Sequence, residues 1–399
     1  MTLFPGHEIL KRRADIVLIA VFLAFIWLPI ADNLLHLDRA PSPNENRTLA
    51  AFPAFPPNLS DTREFFAGVE TFYSDHFGFR RQLVRWGQHW KWQLFHDARV
   101  GNVLEGKEGW LFFSDGRMVD DLCGRRPFGD ADLEAWRKLL TGRRDWLRER
   151  GIRYLFVVPP DKQSIYPEYL PDWLLASVRK PTRLAQFLAY MRANSDVPIL
   201  DLRETLLDAK KLGQIYLRTD THWNDRGAFA AYRRIVQEVA SLGIPSTAAK
   251  LDAFHESFVD EPGGDLAVML PPDKKNLEMR RPLLAPMPSL PPVIARVDTD
   301  LIPRKWIVGT DPRLSENPAA NGKVVMFRDS YGIALSKFFG FSFQRVAYVW
   351  QQNWNKPFIE REKPDMVIDE MLERFVILRS PEELRRKDEQ PDTQVLADY

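Results

Sequence analysis

The sequence has 399 residues, of which 55 are Lys or Arg and 54 are Asp or Glu, so its formal net charge is +1. Dedicated nucleic-acid-binding proteins neutralise phosphates with an excess of Lys and Arg over Asp and Glu. Because this chain has no such excess, we expect no nucleic-acid partner. The single cysteine, Cys123, excludes an intramolecular disulfide, a cysteine-rich zinc site and an iron–sulfur cluster.

An apolar segment follows a basic cluster at the N-terminus. Residues 16–31 carry no charge, and the basic residues at 11–13 precede them. A membrane-spanning helix needs about 20 apolar residues, and basic residues mark the cytoplasmic side of a span. We therefore predict a cytoplasmic segment at 1–13 and a transmembrane signal anchor at 14–35. A cleaved signal peptide and a buried core helix are the alternatives.

The next part of the chain, residues 36–100, is predicted to be a proline-rich tether and a helical lead-in. Prolines interrupt any regular element over residues 36–60. Apolar residues then recur at helical spacing over 61–96. If residues 14–35 form the anchor, everything after them lies outside the bacterial inner membrane, in the periplasm.

From residue 101 onward, predicted strands and helices alternate. Short apolar runs predict strands at 103–104, 110–113, 154–158, 198–202, 324–327, 346–350 and 366–368. Helical patterns cover 133–150, 182–194, 224–242 and the segment ending at 339. This alternation is typical of an α/β fold with a central parallel sheet covered on both faces. Residues 260–320 are proline-rich and irregular, and 379–399 are predicted to form a charged, frayed tail.

A serine lies between a predicted strand and a predicted helix. Ser330 occupies the string FRDSYG at 327–332. Ligands of open α/β sheets bind at the carboxyl edge of the strands, and backbone N–H groups at a helix start can stabilise an oxyanion. Because a serine hydroxyl needs a base to become nucleophilic, Ser330 is a candidate nucleophile only if a base lies nearby. Helix capping is its alternative role.

A candidate base and its partner occur in the string TDTHWN at 219–224. A carboxylate such as Asp220 can orient the imidazole of His222 and stabilise its charged form. No second His or Cys stands nearby to complete a metal site, so we expect neither a metal nor another cofactor. Ser330 as nucleophile, His222 as general base and Asp220 as orienting group together form a possible catalytic triad.

Around these residues the sequence resembles the alginate O-acetyltransferase AlgJ/AlgX family, whose SGNH-hydrolase-like domain is related to the DHHW proteins. The matching strings are NENR at 44–47, GKEGWLFF at 106–113, VPPDK at 158–162, IYPE at 165–168, DTHW at 220–223, RDS at 328–330, KPDMVI at 363–368 and ER at 373–374. The resemblance covers residues 44–375. It implies an SGNH-hydrolase-like three-layer α/β domain at 101–378.

The resemblance also implies roles for individual residues. The Asp-x-His pair and the serine of the later Asp-Ser turn form the family's triad, which carries over to Asp220, His222 and Ser330. The backbone N–H of Ser330 is a further oxyanion candidate. The other candidates for oxyanion or substrate contacts, each with fold support or core packing as the alternative, are Arg328, Tyr331, Trp223, Asn224, Trp350 and Trp354.

The function implied by the resemblance is that of a membrane-anchored periplasmic O-acetyltransferase. A membrane-bound O-acyltransferase would supply acetyl groups, and Ser330 would pass them to hydroxyls of an exported, alginate-like polysaccharide. Two alternatives stay open. One is a carbohydrate acetylesterase with the same triad, in which water attacks the acyl-enzyme. The other is a non-catalytic scaffold for polysaccharide assembly.

Overall fold

The computed structural model divides into two compact units, residues 1–97 and 98–399. It describes residues 15–19, 22–23, 27, 31–32, 51–55, 62–75, 77–79, 99–100, 102–115, 117–270, 279–296 and 314–389.

The N-terminal unit contains helix α1 (Thr62–Asp75), in the region where helical spacing was predicted. The ring of Phe52 packs edge-on against those of Phe65 and Phe72, at centroid distances of 6.3 and 5.2 Å. Most of the predicted anchor at 14–35 lies outside the described residues. Within the part of the chain that the structure describes, no helix combines the length and apolarity of a membrane span.

The second unit is built from strands and helices in alternation. The strands are β1 (Arg99–Val100), β2 (Val103–Glu105), β3 (Leu111–Phe113), β4 (Arg153–Val158), β5 (Ile199–Asp201), β6 (Phe254–Glu261), β7 (Met279–Pro286), β8 (Ile294–Arg296), β9 (Leu314–Glu316), β10 (Asn321–Arg328), β11 (Phe343–Trp350) and β12 (Met366–Glu370). The helices are α2 (Arg117–Leu122), α3 (Asp130–Arg148), α4 (Lys162–Ile165), α5 (Asp172–Leu175), α6 (Arg183–Asn194), α7 (Arg203–Lys210), α8 (Asp225–Ser241), α9 (Asp265–Val268), α10 (Gly332–Phe339), α11 (Lys356–Glu362), α12 (Glu373–Leu378) and α13 (Pro381–Glu389).

A seven-stranded sheet forms the centre of this unit, in the order β5-β4-β12-β10-β11-β9-β8. The first five strands in that order are parallel, which confirms the parallel sheet predicted from the sequence. The antiparallel edge strands β8 and β9 and the antiparallel pair β6–β7 were not predicted. All of these strands except β6 lie in the region at 260–320 that was expected to be irregular. Pro282 and Pro286 lie within β7, and proline weakens a strand pattern because it cannot donate to the ladder.

Alternate residues of the central strands enter two hydrophobic layers, one on each face of the sheet. Leu155 and Met326 pack in the layer that contains residues of α8 and α10. Phe156 and Phe327, their chain neighbours, pack in the layer that contains residues of α3 and α6. Because successive strand residues point to opposite faces, the middle residues of the central strands are apolar on both faces, and the result is a three-layer α/β arrangement.

The C-terminal segment departs from the frayed tail predicted at 379–399. Residues 381–389 form helix α13, while residues 390–399 lie outside the described part. The buried guanidinium of Arg143 donates to both carboxylate oxygens of Asp388, at 2.8 and 3.0 Å, and also to Asp369. The backbone N–H of Trp354 donates to Asp388 at 2.7 Å. A buried cation needs such partners, so the contact between Arg143 and Asp388 anchors α13 to the domain. The composition of this helix alone suggested a solvated tail.

Candidate active site

Ser330 lies in the turn between β10 and α10, at the carboxyl edge of the parallel strands. The neighbouring carboxylate holds this turn in place. Asp329 accepts hydrogen bonds from the backbone N–H groups of Tyr331 at 2.9 Å and Leu372 at 2.8 Å. The side chain of Asp329 thereby ties the turn to the segment after β12, and Ser330 stays partly exposed above it.

Asp220 and His222 lie in a loop between α7 and α8. A bridge between Tyr216 and Trp223 closes this loop, and the side chain of Asn224 caps α8 by accepting from Arg226 and Gly227 N–H at 3.0 and 3.2 Å. We refer to residues 217–222 as the catalytic loop.

Gly264 packs directly against the catalytic loop. A Cβ at Gly264 would lie 2.3 Å from that of Asp220, so this position has room only for glycine. Any larger residue would displace the carboxylate that stands closest to His222.

The structure brings Ser330, His222 and Asp220 into one hydrogen-bonded row. Nε2 of His222 is 2.8 Å from Oγ of Ser330, and Nδ1 of His222 is 2.7 Å from Oδ1 of Asp220. Asp220 also accepts the backbone N–H of His222 at 2.8 Å and that of Asp265 at 3.0 Å. In this geometry the imidazole can accept the serine proton while the carboxylate holds the other ring nitrogen.

The charges within this row adjust one another. Burial alone would raise the pKa of Asp220, but its hydrogen bonds and the charge of His222 outweigh burial and lower it to about 2. Burial alone would lower the pKa of His222, but the hydrogen bond and the charge of Asp220 outweigh it and raise it above the ordinary value of 6.5. Asp220 is therefore an anion at neutral pH, and His222 is a stronger base than a free histidine.

The raised pKa of His222 predicts where activity is lost in acid. A general base works in its neutral form, so kcat/KM should fall as pH falls through the pKa of His222. An unperturbed histidine would place this decline near about 6.5, whereas the raised pKa of His222 moves it to higher pH. The measurement is kcat/KM for an aryl acetate between pH 5 and 9, with circular dichroism at each pH as the control for folding. A flat profile from pH 5 to 8 would contradict His222 as the base.

Asp265 and Thr221, which the sequence analysis did not select, complete this side of the site. Asp265 accepts from the backbone N–H and the hydroxyl of Thr221, at 2.7 and 2.6 Å, and its Oδ2 is 3.7 Å from Nδ1 of His222. Single atoms of Asp220, His222 and Asp265 lie within 4.8 Å of one another, as cation ligands can. Hydrogen bonds already occupy Nδ1 and both Asp220 oxygens, which favours proton transfer as their role. Asp265 begins a four-residue helix in the proline-rich region, where no periodic pattern marks it.

A cavity of about 290 Å³ adjoins Ser330. Its walls come from the ends of β10 and β11 and from the segment around α12 and α13. The lining residues are Arg328, Asp329, Ser330, Trp350, Gln351, Gln352, Asn353, Phe375, Arg379, Ser380, Glu383, Leu384 and Lys387. The guanidinium of Arg328 lies 4.7 Å from the ring centre of Trp350, so these two candidates stand together on the cavity wall.

The remaining candidates support the site from behind. The Tyr331 hydroxyl donates to the backbone carbonyl of Thr221 at 2.6 Å, and the Trp223 indole donates to the carbonyl of Tyr331 at 3.2 Å. The side chains of Tyr331, Trp223 and the capping residue Asn224 are buried, as is Trp354 in the core. The structure therefore places these four away from a ligand, because each is held by packing or by hydrogen bonds inside the protein.

The backbone N–H of Ser330 is available as an oxyanion donor. Among the described residues no group accepts a hydrogen bond from it. It precedes α10, at the helix end where the partial charge is positive. An amide in this position can donate to the oxygen of a tetrahedral intermediate formed on the same serine.

Comparisons with known proteins bear on fold and family. A family model for the SGNH hydrolase-like domain of acetyltransferase AlgX matches residues 103–292, which include Asp220 and His222. The "Probable alginate O-acetylase AlgJ" of Pseudomonas syringae pv. tomato is 29% identical over 262 residues, 64% of this chain and 61% of that protein. Its namesake in Pseudomonas aeruginosa is 31% identical over 210 residues, 51% of this chain and 50% of that protein.

A solved structure supports the fold. A DHHW family protein from Eubacterium siraeum matches with a TM-score of 0.51 and 17% identity, over 71% of this chain and 94% of that one. This likeness and the family model confirm the SGNH-hydrolase-like α/β fold. The chain spans only 61% and 50% of the two relatives' lengths, so their names do not by themselves assign it an activity. The family model and these relatives support the resemblance to the AlgJ/AlgX family of SGNH-hydrolase-like proteins that the sequence strings indicate.

Proposed function

We propose that the protein is an O-acetyltransferase that moves acetyl groups onto polysaccharide hydroxyls through an acetyl-Ser330 intermediate. The observation that carries this proposal is the row from Asp220 through His222 to Ser330, with contacts of 2.7 and 2.8 Å beside an open cavity. The relatives named alginate O-acetylases support transfer to a polysaccharide.

The reaction divides into two acyl transfers. In the first, His222 takes the Ser330 proton as Oγ attacks the acetyl carbonyl, and the backbone N–H of Ser330 donates to the oxyanion. The imidazolium then returns this proton to the leaving group, and acetyl-Ser330 remains. In the second, a sugar hydroxyl loses its proton to His222 as it attacks the acetyl group. The tetrahedral intermediate collapses to the sugar acetate, and Ser330 recovers a proton from His222.

The cavity beside Ser330 supplies a place for the acceptor. It combines the Trp350 ring with the polar side chains of Gln351 and Asn353, a mixture suited to sugar rings and hydroxyls. Arg379 and Lys387 add positive charge at the exposed wall. Lys387 is paired with Glu383 at 2.7 Å, so Arg379 is the better placed of the two to meet an acidic sugar. An acceptor seated here would also keep water from acetyl-Ser330, as transfer requires.

Replacing Arg379 with Gln should weaken the acceptor interaction more than the chemistry. A charge-assisted hydrogen bond to a carboxylate is worth about 1.5–3 kcal/mol, which predicts a rise of about tenfold or more in KM for an acidic oligosaccharide. The matched control is Arg385→Gln, since Arg385 is exposed on the same C-terminal segment, pairs with Glu389 and is absent from the cavity lining. The KM of each variant is obtained from steady-state transfer rates measured at increasing oligosaccharide concentration. Equal KM values in the two variants would remove Arg379 from the acceptor site.

Location and acetyl supply form part of the same proposal. The uncharged apolar run at 16–31, after basic residues at 11–13, supports a single-pass inner-membrane anchor at 14–35 with the second unit in the periplasm. A periplasmic enzyme has no direct access to cytoplasmic acetyl donors, which favours a membrane-bound O-acyltransferase as the partner that delivers acetyl groups. Protease added to spheroplasts should digest residues after 35. Complete protection of that region would contradict the orientation.

The deciding experiment offers the full-length chain an activated aryl acetate with an alginate oligosaccharide and analyses the products by mass spectrometry. Acetylated oligosaccharide would support the transferase. Acetate alone, at a rate independent of oligosaccharide, would favour the esterase. If neither product forms, polymer acetylation in cells carrying Ser330→Ala decides the matter, since acetylation at the wild-type level would indicate a scaffold.

A further inference from the structure

Lys162 is buried beneath the catalytic loop. It begins the short helix α4, four residues after the end of β4, and its side chain is almost fully enclosed. Its ammonium donates to three backbone carbonyl oxygens of one short segment: those of Leu217 at 3.0 Å, Arg218 at 3.1 Å and Asp220 at 2.6 Å. An ammonium group has three protons, and each has an acceptor here.

The surroundings of the ammonium are those of a cation site built from protein groups. The rings of Trp110 and Phe112 lie 5.6 and 5.3 Å from Nζ, within the range of cation–π attraction. The three acceptors of Nζ are carbonyl oxygens of the catalytic loop, and no carboxylate among the described residues forms a salt bridge with Nζ. A buried lysine without a direct counter-ion is costly, and an apolar side chain would avoid that cost. This points to a role in arranging the loop.

We propose that Lys162 is a positioning residue of the acyl-transfer site, whose ammonium holds the catalytic loop in the shape that sets Asp220 against His222. This inference rests on the proposed function. The 2.6 Å bond to the Asp220 carbonyl fixes the backbone of the residue whose carboxylate orients the imidazole. Proton transfer requires the His222–Ser330 contact of 2.8 Å, and small displacements at such a contact cost rate rather than substrate affinity.

The positive charge of Lys162, and not only the shape of its side chain, is needed to hold the catalytic loop. Burial lowers the pKa of Lys162 to about 7; the carboxylates of Asp220 and Asp265 favour its charged form, and Arg374 opposes it. A neutral amine has only two N–H groups, so one carbonyl loses its donor and faces the amine lone pair instead. Activity should therefore decline as pH rises through this pKa. Together with the decline in acid caused by His222, this gives a bell-shaped profile.

The test compares the full-length wild type with Lys162→Met and with Lys210→Met. Lys210 is a suitable control because it also donates to a backbone carbonyl, that of Ile165 at 2.7 Å, but does not touch the catalytic loop. We expect Lys162→Met to lower kcat for an aryl acetate by about tenfold or more, with KM little changed and without the decline at alkaline pH. Lys210→Met should keep the kcat, the KM and the bell-shaped pH profile of the wild type. A folded Lys162→Met protein with the kcat and pH profile of the wild type would overturn the proposal.

A second measurement is independent of both activity and the folding of the variant. Hydrogen exchange of the wild-type amides at 217–222, corrected for the intrinsic effect of pH, should quicken as pH rises past about 7, while the amides of β10 and β12 stay protected. Unchanged protection of the loop across this range would overturn the proposal. Because exchange needs no substrate, this result holds even if Ser330→Ala shows that the chain does not catalyse acyl transfer.

Discussion

Ser330→Ala is expected to lower both acetyl transfer and aryl acetate hydrolysis by about 10⁴-fold or more. The acetyl group then has no nucleophile whose proton His222 Nε2 can take. The Ser330 hydroxyl has one hydrogen bond among the described residues, to His222, so its loss should leave the fold intact. Steady-state kinetics measure the rates, and circular dichroism checks the fold.

Ser336→Ala is a matched control for this prediction. Ser336 lies on α10, six residues after Ser330, and its hydroxyl donates to the carbonyl of Ile333 at 2.7 Å, away from His222. This variant should retain activity close to that of the wild type. A reaction quenched with acid should also yield a Ser330 peptide carrying one acetyl group. Transfer at the wild-type rate by Ser330→Ala would show that another group, or no covalent step, is responsible.

Asp220→Asn is expected to cost about 10³- to 10⁴-fold in kcat, although the side chains are nearly identical in shape. The carboxylate accepts a hydrogen bond from the N–H at Nδ1 of His222, 2.7 Å away. It thereby leaves Nε2 without a proton and able to take the one from Ser330. An asparagine amide can donate to Nδ1 instead, which favours the tautomer with hydrogen on Nε2. That tautomer cannot act as the base. Loss of the anion should also lower the pKa of His222 and move any residual acid decline to lower pH.

Asp265→Asn provides the comparison for this second prediction. Asp265 lies 3.7 Å from Nδ1 and is mainly engaged with Thr221, so its replacement should cost about tenfold or less. Rates measured for both variants at several pH values separate the two carboxylates. Equal losses would mean that the two share the orienting role. A wild-type rate for Asp220→Asn would remove His222 from the position of general base.

Sequence patterns predicted the elements of this fold where each element is governed by its own residues. The run at 154–158 is apolar at every position because β4 is covered on both faces, and α8 lies where the helical pattern at 224–242 predicted a helix. The strand β7 was missed since Pro282 and Pro286 interrupt its pattern. Strand β7 is stabilised by pairing with β6, and the local sequence of one strand does not show which other strand it pairs with.

The sequence by itself determined the α/β alternation, the family resemblance and the three residues proposed as a triad, because strand periodicity and short strings such as DTHW and RDS are local properties. Only the tertiary structure decided which side chains meet. His222 and Ser330 stand 108 positions apart, and Lys162 and Asp220 stand 58 apart, yet each pair is in hydrogen-bond contact. Contacts of this kind form when the carboxyl ends of parallel strands gather their following loops at one edge of the sheet. The chain order of the residues does not encode those distances.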